Sequence, residues 1–409
     1  MSNLKTNHDR LMSRIDALGA IGATPEGGVR RLALSDEDRA ARDQVTAWMR
    51  SAGLQVEVDR LGNIFGTRPG TELAPPVMTG SHIDSVANGG KLDGAYGVLA
   101  GIEVIETLND ADLETTRPIT VCVFTNEEGA RFQPDMMGSL VYAGGLAVED
   151  ALNTSDGDGV SVGDELVRIG YAGTRDVGGT RPHAFVEVHI EQGPVLEAAG
   201  IAIGAVEDLQ GISWTGITIG GQANHAGTTP MVLRHDAGYC AGAIASYVRE
   251  ITRRLGAQQV GTVGVIDLKP GIINVVPGTS YLTVDLRNTD NNRLKEAEGL
   301  LHEFVENLAA SEGVAIDTQR LARFDPVHFD DSIARRIESN AALLGLSCRR
   351  MTSGAGHDAQ MMARLCPTAM IFVPSAGGVS HNPAEHTDSD DLNAGANVLL
   401  HTLLDLARE

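Results

Sequence analysis

The chain has 409 residues, 42% of them hydrophobic and 21% charged, and its 32 basic against 54 acidic side chains leave a formal net charge of −22. That apolar share excludes a disordered polymer, and a chain this long divides naturally into domains of roughly 150 residues. The acidic balance excludes broad adhesion to nucleic-acid backbones or anionic membrane surfaces, so neither is expected as a partner.

The opening segment, MSNLKTNHDRLMSRIDALGAIG, holds no continuous apolar run, and no secretory signal is expected. No stretch approaches the roughly 20 apolar residues of a membrane span. Four scattered cysteines, Cys122, Cys240, Cys348 and Cys366, form no CxxC pair and read as buried free thiols. A cytoplasmic enzyme is the expectation.

Residues 10–18 and 36–53 read as amphipathic helices. Val77 to Ser81 is a short apolar strand, Gly97 to Leu108 is apolar at helical spacing, and Ile119 to Thr125 and Ala184 to Ile190 are further buried strands. Strands alternating with helices predict an α/β layer with a mostly parallel sheet flanked by helices. Residues 150–182, rich in Gly and Asp, read as an unpatterned surface excursion. The pattern changes near Gly211. Ile212 to Ile219 is a predicted strand, Arg234 to Leu255 a helix, and Val260 to Leu268 a strand. Ser280 to Arg287 alternates like a strand, 291–311 is a helix and Val314 to Leu321 a strand. The order β-α-β-β-α-β is that of a ferredoxin-like α+β unit. The predicted organisation is therefore a first catalytic part at 1–212, an inserted domain at 213–326 and a second catalytic part at 327–409. That last part has a helix at 331–344, a strand at Ala369 to Pro374 and a closing helix at 391–408.

Five clusters carry candidate chemistry. Gly80-Ser81-His82-Ile83-Asp84-Ser85 follows a buried strand, where sites form in open α/β sheets, and an imidazole with a nearby carboxylate is how a metal ligand is oriented. Gly89-Gly90-Lys91-Leu92-Asp93-Gly94 places Asp93 ahead of a helix. Thr125-Asn126-Glu127-Glu128-Gly129 sets two glutamates at a strand end, one able to ligate a metal and the other to act as general base. Alternation in Glu187-Val188-His189-Ile190-Glu191-Gln192 puts Glu187, His189 and Glu191 on one strand face. Gly377-Gly378-Val379-Ser380-His381-Asn382-Pro383-Ala384-Glu385-His386 offers two histidines, between which composition does not choose. Singly, each has a plain structural reading: a turn histidine, an N-cap, a solvated loop. Five such clusters at strand-to-loop junctions point instead to a centre in which packed carboxylates are neutralised by a pair of cations. Nitrogen and oxygen donors without thiolate suit Zn, Mn, Co or Ni.

These motifs resemble the M20 metallopeptidase-like amidohydrolases. The runs HIEQGPVLE, GQANHAGTTPM and SGAGHDAQ resemble the hydantoinase/carbamoylase branch, over nearly the whole chain. The resemblance implies a di-metal catalytic domain with two divalent ions per subunit, held by His82, Asp93, Glu128, His189 and His381. Asp93 would bridge the ions, Glu127 would be the general base and Asp84 would hold His82. His381 is preferred to His386 because the family ligand is the histidine of the S-H-N-P run. The inserted domain is implied to be a dimerisation or lid domain of a homodimer, with His225 stabilising an oxyanion from the neighbouring subunit. Asn274 and Arg287 match the positions that hold a substrate carboxylate; a salt bridge with Asp285 is the plain alternative for Arg287. Gln192 and His357 are further candidate substrate contacts. The implied activity is hydrolysis of the ureido C–N bond of an N-carbamoyl-L-amino acid, a small ureido substrate carrying a carboxylate. Allantoate amidohydrolase and β-ureidopropionase share the ligands and the chemistry, and a non-catalytic ligand-binding protein is the reading from another class.

Overall fold

In the computed structural model, residues 4–256 and 258–409 are described. One compact unit runs up to Glu207 and resumes with Phe329–Glu409; the other is Asp208–His328, which contains the 213–326 segment.

The first unit is built on a sheet whose strands are β1 (Gln55–Val58), β2 (Ile64–Arg68), β3 (Val77–His82), β4 (Ile119–Phe124), β5 (Ala184–Ile190) and β6 (Ile203–Leu209). The strands of the second unit are β7 (Gly211–Gly220), β8 (Asn224–His225), β9 (Val260–Lys269), β10 (Val275–Val276), β11 (Thr279–Asn288) and β12 (Ala315–Phe324). The chain returns through β13 (Val327–His328), β14 (Cys348–Ser353) and β15 (Thr368–Val373). The large sheet has the order β1-β2-β4-β3-β5-β15-β6-β13, with β14 also on β6. Its centre, β4-β3-β5-β15, is parallel, and β2, β6 and β13 pair antiparallel at the flanks.

Every residue of β3, β4, β5 and β15 is buried, because helices cover both faces of a parallel sheet and its strands become continuous apolar runs. The helices Ala95–Asp110 and Ser389–Leu406 supply much of that cover, with Val98, Leu99, Ile102, Leu399, Leu400 and Leu403 fully buried. Each such side chain contributes about 1.5–3 kcal/mol on burial. Register then decides what lies at the carboxyl edge. His82 pairs with Phe124 across β3 and β4, and Phe372 pairs with His189 across β15 and β5. The loops that follow these four strands therefore leave the sheet side by side.

In the second unit, β12-β7-β11-β9 form one antiparallel sheet. The helices Ala237–Leu255 and Asn291–Glu312 pack on it around Ile217, Ile244, Val248, Leu282 and Leu294. The strands of that sheet and these two helices follow one another in the order β-α-β-β-α-β.

Several local expectations need correction. The helix expected from Arg234 begins at Ala237, because the Asp236 side chain accepts from the Gly238 and Tyr239 amides and caps it there. Residues 150–182 are not a bare excursion: Val162–Ile169 is a helix whose Val162, Leu166 and Ile169 are buried. The strands β1, β2, β6 and β14 went unpredicted because they are short or carry mixed polarity. Cys122, Cys240 and Cys366 are buried thiols and Cys348 is half-buried; all four are free. Among the described residues, no helix is long and apolar enough to cross a membrane.

Candidate metal centre

Four loops at the carboxyl edge of the parallel strands converge. His82 is the last residue of β3 and is buried. Asp93 lies just before the helix Ala95–Asp110, Glu127 and Glu128 follow β4, His189 sits within β5, and His381 follows β15. Gly94 has φ +63°, and a Cβ there would lie 2.4 Å from the His82 ring; glycine lets the Asp93 loop pass against the imidazole.

The histidines are oriented by backbone. His82 Nδ1 is 3.0 Å from the Asp84 carbonyl and His189 Nδ1 is 2.8 Å from the Ile190 carbonyl. A ring that donates Nδ1–H to a carbonyl turns the Nε2 lone pair forward, as ligating histidines do. The Gly94 amide lies 3.1 Å from His189 Nε2 and donates to it when that nitrogen carries no proton. His189 Nε2 then faces Asp93 Oδ1 at 3.1 Å, and His82 Nε2 faces Glu127 Oε2 at 3.3 Å and Asp93 Oδ1 at 3.8 Å. Acceptors converge on acceptors, and only a proton or a cation between them relieves the repulsion.

The proton affinities carry the same message. Burial drives His82 down to about 4, leaving it neutral. Burial also opposes the charge on His189, yet the hydrogen bond to Asp93 carries it up to about 9: in the absence of a cation a proton fills the gap. Burial works against the Asp93 anion, but contacts with His189 and His381 hold it well below the usual carboxylate range. Glu127 is pushed far up by burial and then by the charge of Asp358, and Glu128 by burial and the charge of Asp93.

A second group forms on the other side of Asp93. His381 Nε2 lies 3.2 Å from Asp93 Oδ2 and 3.3 Å from Glu128 Oε2. Two sets of ligand atoms, His82–Asp93–His189 and Asp93–Glu128–His381, thus share one carboxylate, with the atoms of each set within 4.8 Å of one another. The donors are imidazole nitrogen and carboxylate oxygen, and the residues present fit a borderline divalent cation. His386 belongs to neither set.

Other expected positions fall differently. The contact to His82 comes from the carbonyl of Asp84, whose carboxylate stands 3.8 Å away and instead accepts from the amides of Glu127 and Glu128, both at 3.3 Å. Asp84 therefore aims the glutamate pair. Gln192 was expected to face substrate, but its Nε2 donates to Asp93 Oδ2 at 2.9 Å and to Ser380 Oγ at 3.1 Å. His357 is buried, bonded to Ser353 Oγ at 3.1 Å, with its ring centre 4.5 Å from that of His189. It backs His189. Glu187 shares its face of β5 with His189. It accepts from Ser81 Oγ and from the Ala359 amide, which ties β5 to β3 beneath the histidines.

His225, Asn274 and Arg287 belong to the second unit. β8 pairs with β10, Val275 opposite His225, which brings Asn274 next to the His225 loop; the Asn274 carbonyl accepts from the Ala226 amide at 2.9 Å. His225 is exposed, and its Nδ1 accepts from the Gly227 and Thr228 amides at 3.0 and 3.2 Å. The neutral ring therefore carries its proton on Nε2, as an outward donor. The Arg287 guanidinium forks onto Asp285, with Nε and Nη2 at 3.0 and 2.9 Å from Oδ2.

The model of Peptidase family M20/M25/M40 matches residues 78–405. The chain is 41% identical to an N-carbamoyl-L-amino-acid amidohydrolase of Rhizobium meliloti, over 99% of this chain and 98% of that one. It is 37% identical to an allantoate amidohydrolase of Escherichia coli, over 95% and 96%. Its fold is similar to a solved amidase of the hydantoinase/carbamoylase family from Burkholderia multivorans, with TM-score 0.97 and 44% identity over 99% of both chains. With these matches spanning nearly its whole length, the chain belongs to Peptidase family M20/M25/M40 and is a hydrolase of that family.

Proposed function

We propose that this enzyme hydrolyses the ureido C–N bond of an N-carbamoyl-L-amino acid, releasing the L-amino acid, ammonia and carbon dioxide with consumption of one water. The observation that carries the reading is the sharing of Asp93 by two ligand sets, in a chain that matches an N-carbamoyl-L-amino-acid amidohydrolase end to end. His82, His189 and Asp93 would hold one divalent ion, and Asp93, Glu128 and His381 a second. Two such ions supply Lewis acidity, polarising a carbonyl and acidifying water.

The protein's own groups do the rest. Glu127 takes the proton of the attacking water and returns it to the departing nitrogen. Its high proton affinity in this crowded anionic site suits it to hold that proton between the two steps. The Nε2–H of His225 is a donor for the developing oxyanion. Arg287 and Asn274 grip the substrate carboxylate, Arg287 by exchanging Asp285 for the ligand. The reading includes a homodimer in which the inserted unit lends His225 to the neighbouring copy.

The test is amino-product release by metal-reconstituted protein from N-carbamoyl-L-methionine, its D enantiomer, N-carbamoyl-β-alanine, allantoate and a dipeptide. Free L-methionine as the main product is expected. Preferred turnover of allantoate or N-carbamoyl-β-alanine would keep the mechanism and change the substrate. Turnover of the dipeptide alone, or of nothing, would overturn the reading.

A further inference from the structure

The turn after His381 buries a carboxylate that the mechanism above does not use. Within it the Glu385 amide donates to the Asn382 carbonyl at 3.0 Å and the Ala384 amide to Asn382 Oδ1 at 2.9 Å, so the chain folds back and sends the Glu385 side chain inward. Glu385 is 7% exposed. Its Oε1 accepts from the backbone amides of Leu92 and Asp93 at 3.0 and 3.2 Å, and its Oε2 accepts from the Ser380 hydroxyl at 2.9 Å. Ser380 Oγ in turn accepts from Gln192 Nε2, whose other acceptor is Asp93 Oδ2. The ring is closed: Glu385 holds Asp93 by its amide, Gln192 holds it by its carboxylate, and Ser380, next to His381, joins the two. A Cβ on Gly90 would lie 2.1 Å from Glu385 Oε1, so the loop before Asp93 is glycine where the carboxylate passes.

Burying an anion beside the Asp93 anion is costly, and fixing two loops to each other could be done with neutral groups at less expense. A carboxylate is warranted where backbone donors must be held firmly and where nearby cations offset its charge. We propose that Glu385, acting through the Asp93 amide and through Ser380, is a positioning residue that sets Asp93 and His381 at the spacing the second ligand set requires. The inference rests on the reading of Asp93 and His381 as metal ligands. It assigns Glu385 no contact with substrate or metal.

The experiment compares metal-free wild type, Glu385→Ala and Glu385→Gln by calorimetric titration with Mn(II) and by the visible spectrum of the Co(II)-loaded protein, with thermal midpoints of the metal-free forms recorded alongside. Glu385→Ala is expected to bind the ion of the Asp93–Glu128–His381 set about 10- to 100-fold more weakly, a typical loss for a group that orients ligands. Its Co(II) spectrum shifts, and kcat falls more than KM rises. Glu385→Gln keeps one oxygen for both amides but loses the charge and the acceptor of the Ser380 hydroxyl, and is expected to bind between wild type and Glu385→Ala. Ser380→Ala, which leaves the Leu92 and Asp93 amides satisfied, keeps the proposal testable if Glu385→Ala fails to fold; it should weaken the same ion by a smaller factor. Wild-type affinity and spectrum in Glu385→Ala, whatever its thermal midpoint, would overturn the proposal while leaving the centre intact. Wild type that takes up fewer than two ions would overturn the reading of the centre itself, and this inference with it.

Discussion

Asp93 reaches His381 through Oδ2, at 3.2 Å, while its Oδ1 is turned toward the imidazoles of β3 and β5. One short side chain thus serves both ligand sets, and His381 serves one. Replacing each has different consequences. Asp93→Ala is expected to abolish stoichiometric binding of both divalent ions, and His381→Ala to weaken only one of them. Metal content by plasma mass spectrometry after equilibrium dialysis checks this; equal losses in the two variants would contradict the sharing.

Glu127 lies outside both ligand sets, although its Oε2 is within 3.3 Å of His82 Nε2. Glu127→Gln preserves volume and removes the base. Metal content and KM should stay near wild type, while kcat falls by about 10²-fold or more. Near-normal turnover would remove Glu127 from the proton-transfer role.

Metal uptake should release protons and strengthen with pH. His189 carries a proton up to about 9 in the metal-free protein, and a cation must displace it. Apparent affinity is therefore expected to rise by about tenfold per pH unit for each proton released, that of His189 up to about pH 9. Calorimetry in buffers of differing ionisation enthalpy would count the released proton.

The stability of the metal-free protein should run the opposite way. His189 is raised above its ordinary 6.5, so its contribution is complete below 6.5 and lost as pH climbs through about 9. Asp84 is raised from 3.8 to about 7 by burial and then by the charge of Asp38, so its contribution is present below 3.8 and lost as pH rises through 7. The thermal midpoint should fall between pH 6.5 and 9, and saturating Mn(II) should flatten that fall. A metal-free midpoint that rises with pH over this window would contradict the arrangement.

His225 is poised by two backbone amides on Nδ1, so a side chain lacking the forward N–H should be catalytically poor without disturbing the fold. His225→Ala is expected to lower kcat by about 10²- to 10³-fold with metal content unchanged. Steady-state kinetics on the preferred ureido substrate, with metal analysis alongside, checks it.

Strand periodicity and apolar runs by themselves determined where β3, β4, β5 and β15 lie, and that Glu187 and His189 share a face of β5, because side-chain direction in a strand alternates regardless of context. They also determined the β-α-β-β-α-β order of the inserted segment and the placing of four acidic and histidine clusters at the ends of β3, β4, β5 and β15, with Asp93 ahead of a helix. Which atoms meet was decided only by tertiary structure. Composition left His381 and His386 open, and the turn after β15 brings His381 to Asp93 and Glu128. Asp84 holds His82 by its carbonyl, Gln192 is spent on Asp93 and Ser380, and Glu385 grips the Asp93 amide. Each of these is a hydrogen bond within or between loops. Loop conformation follows from capping, φ values such as the +52° of His381, and the register of neighbouring strands, none of which leaves a period in the sequence.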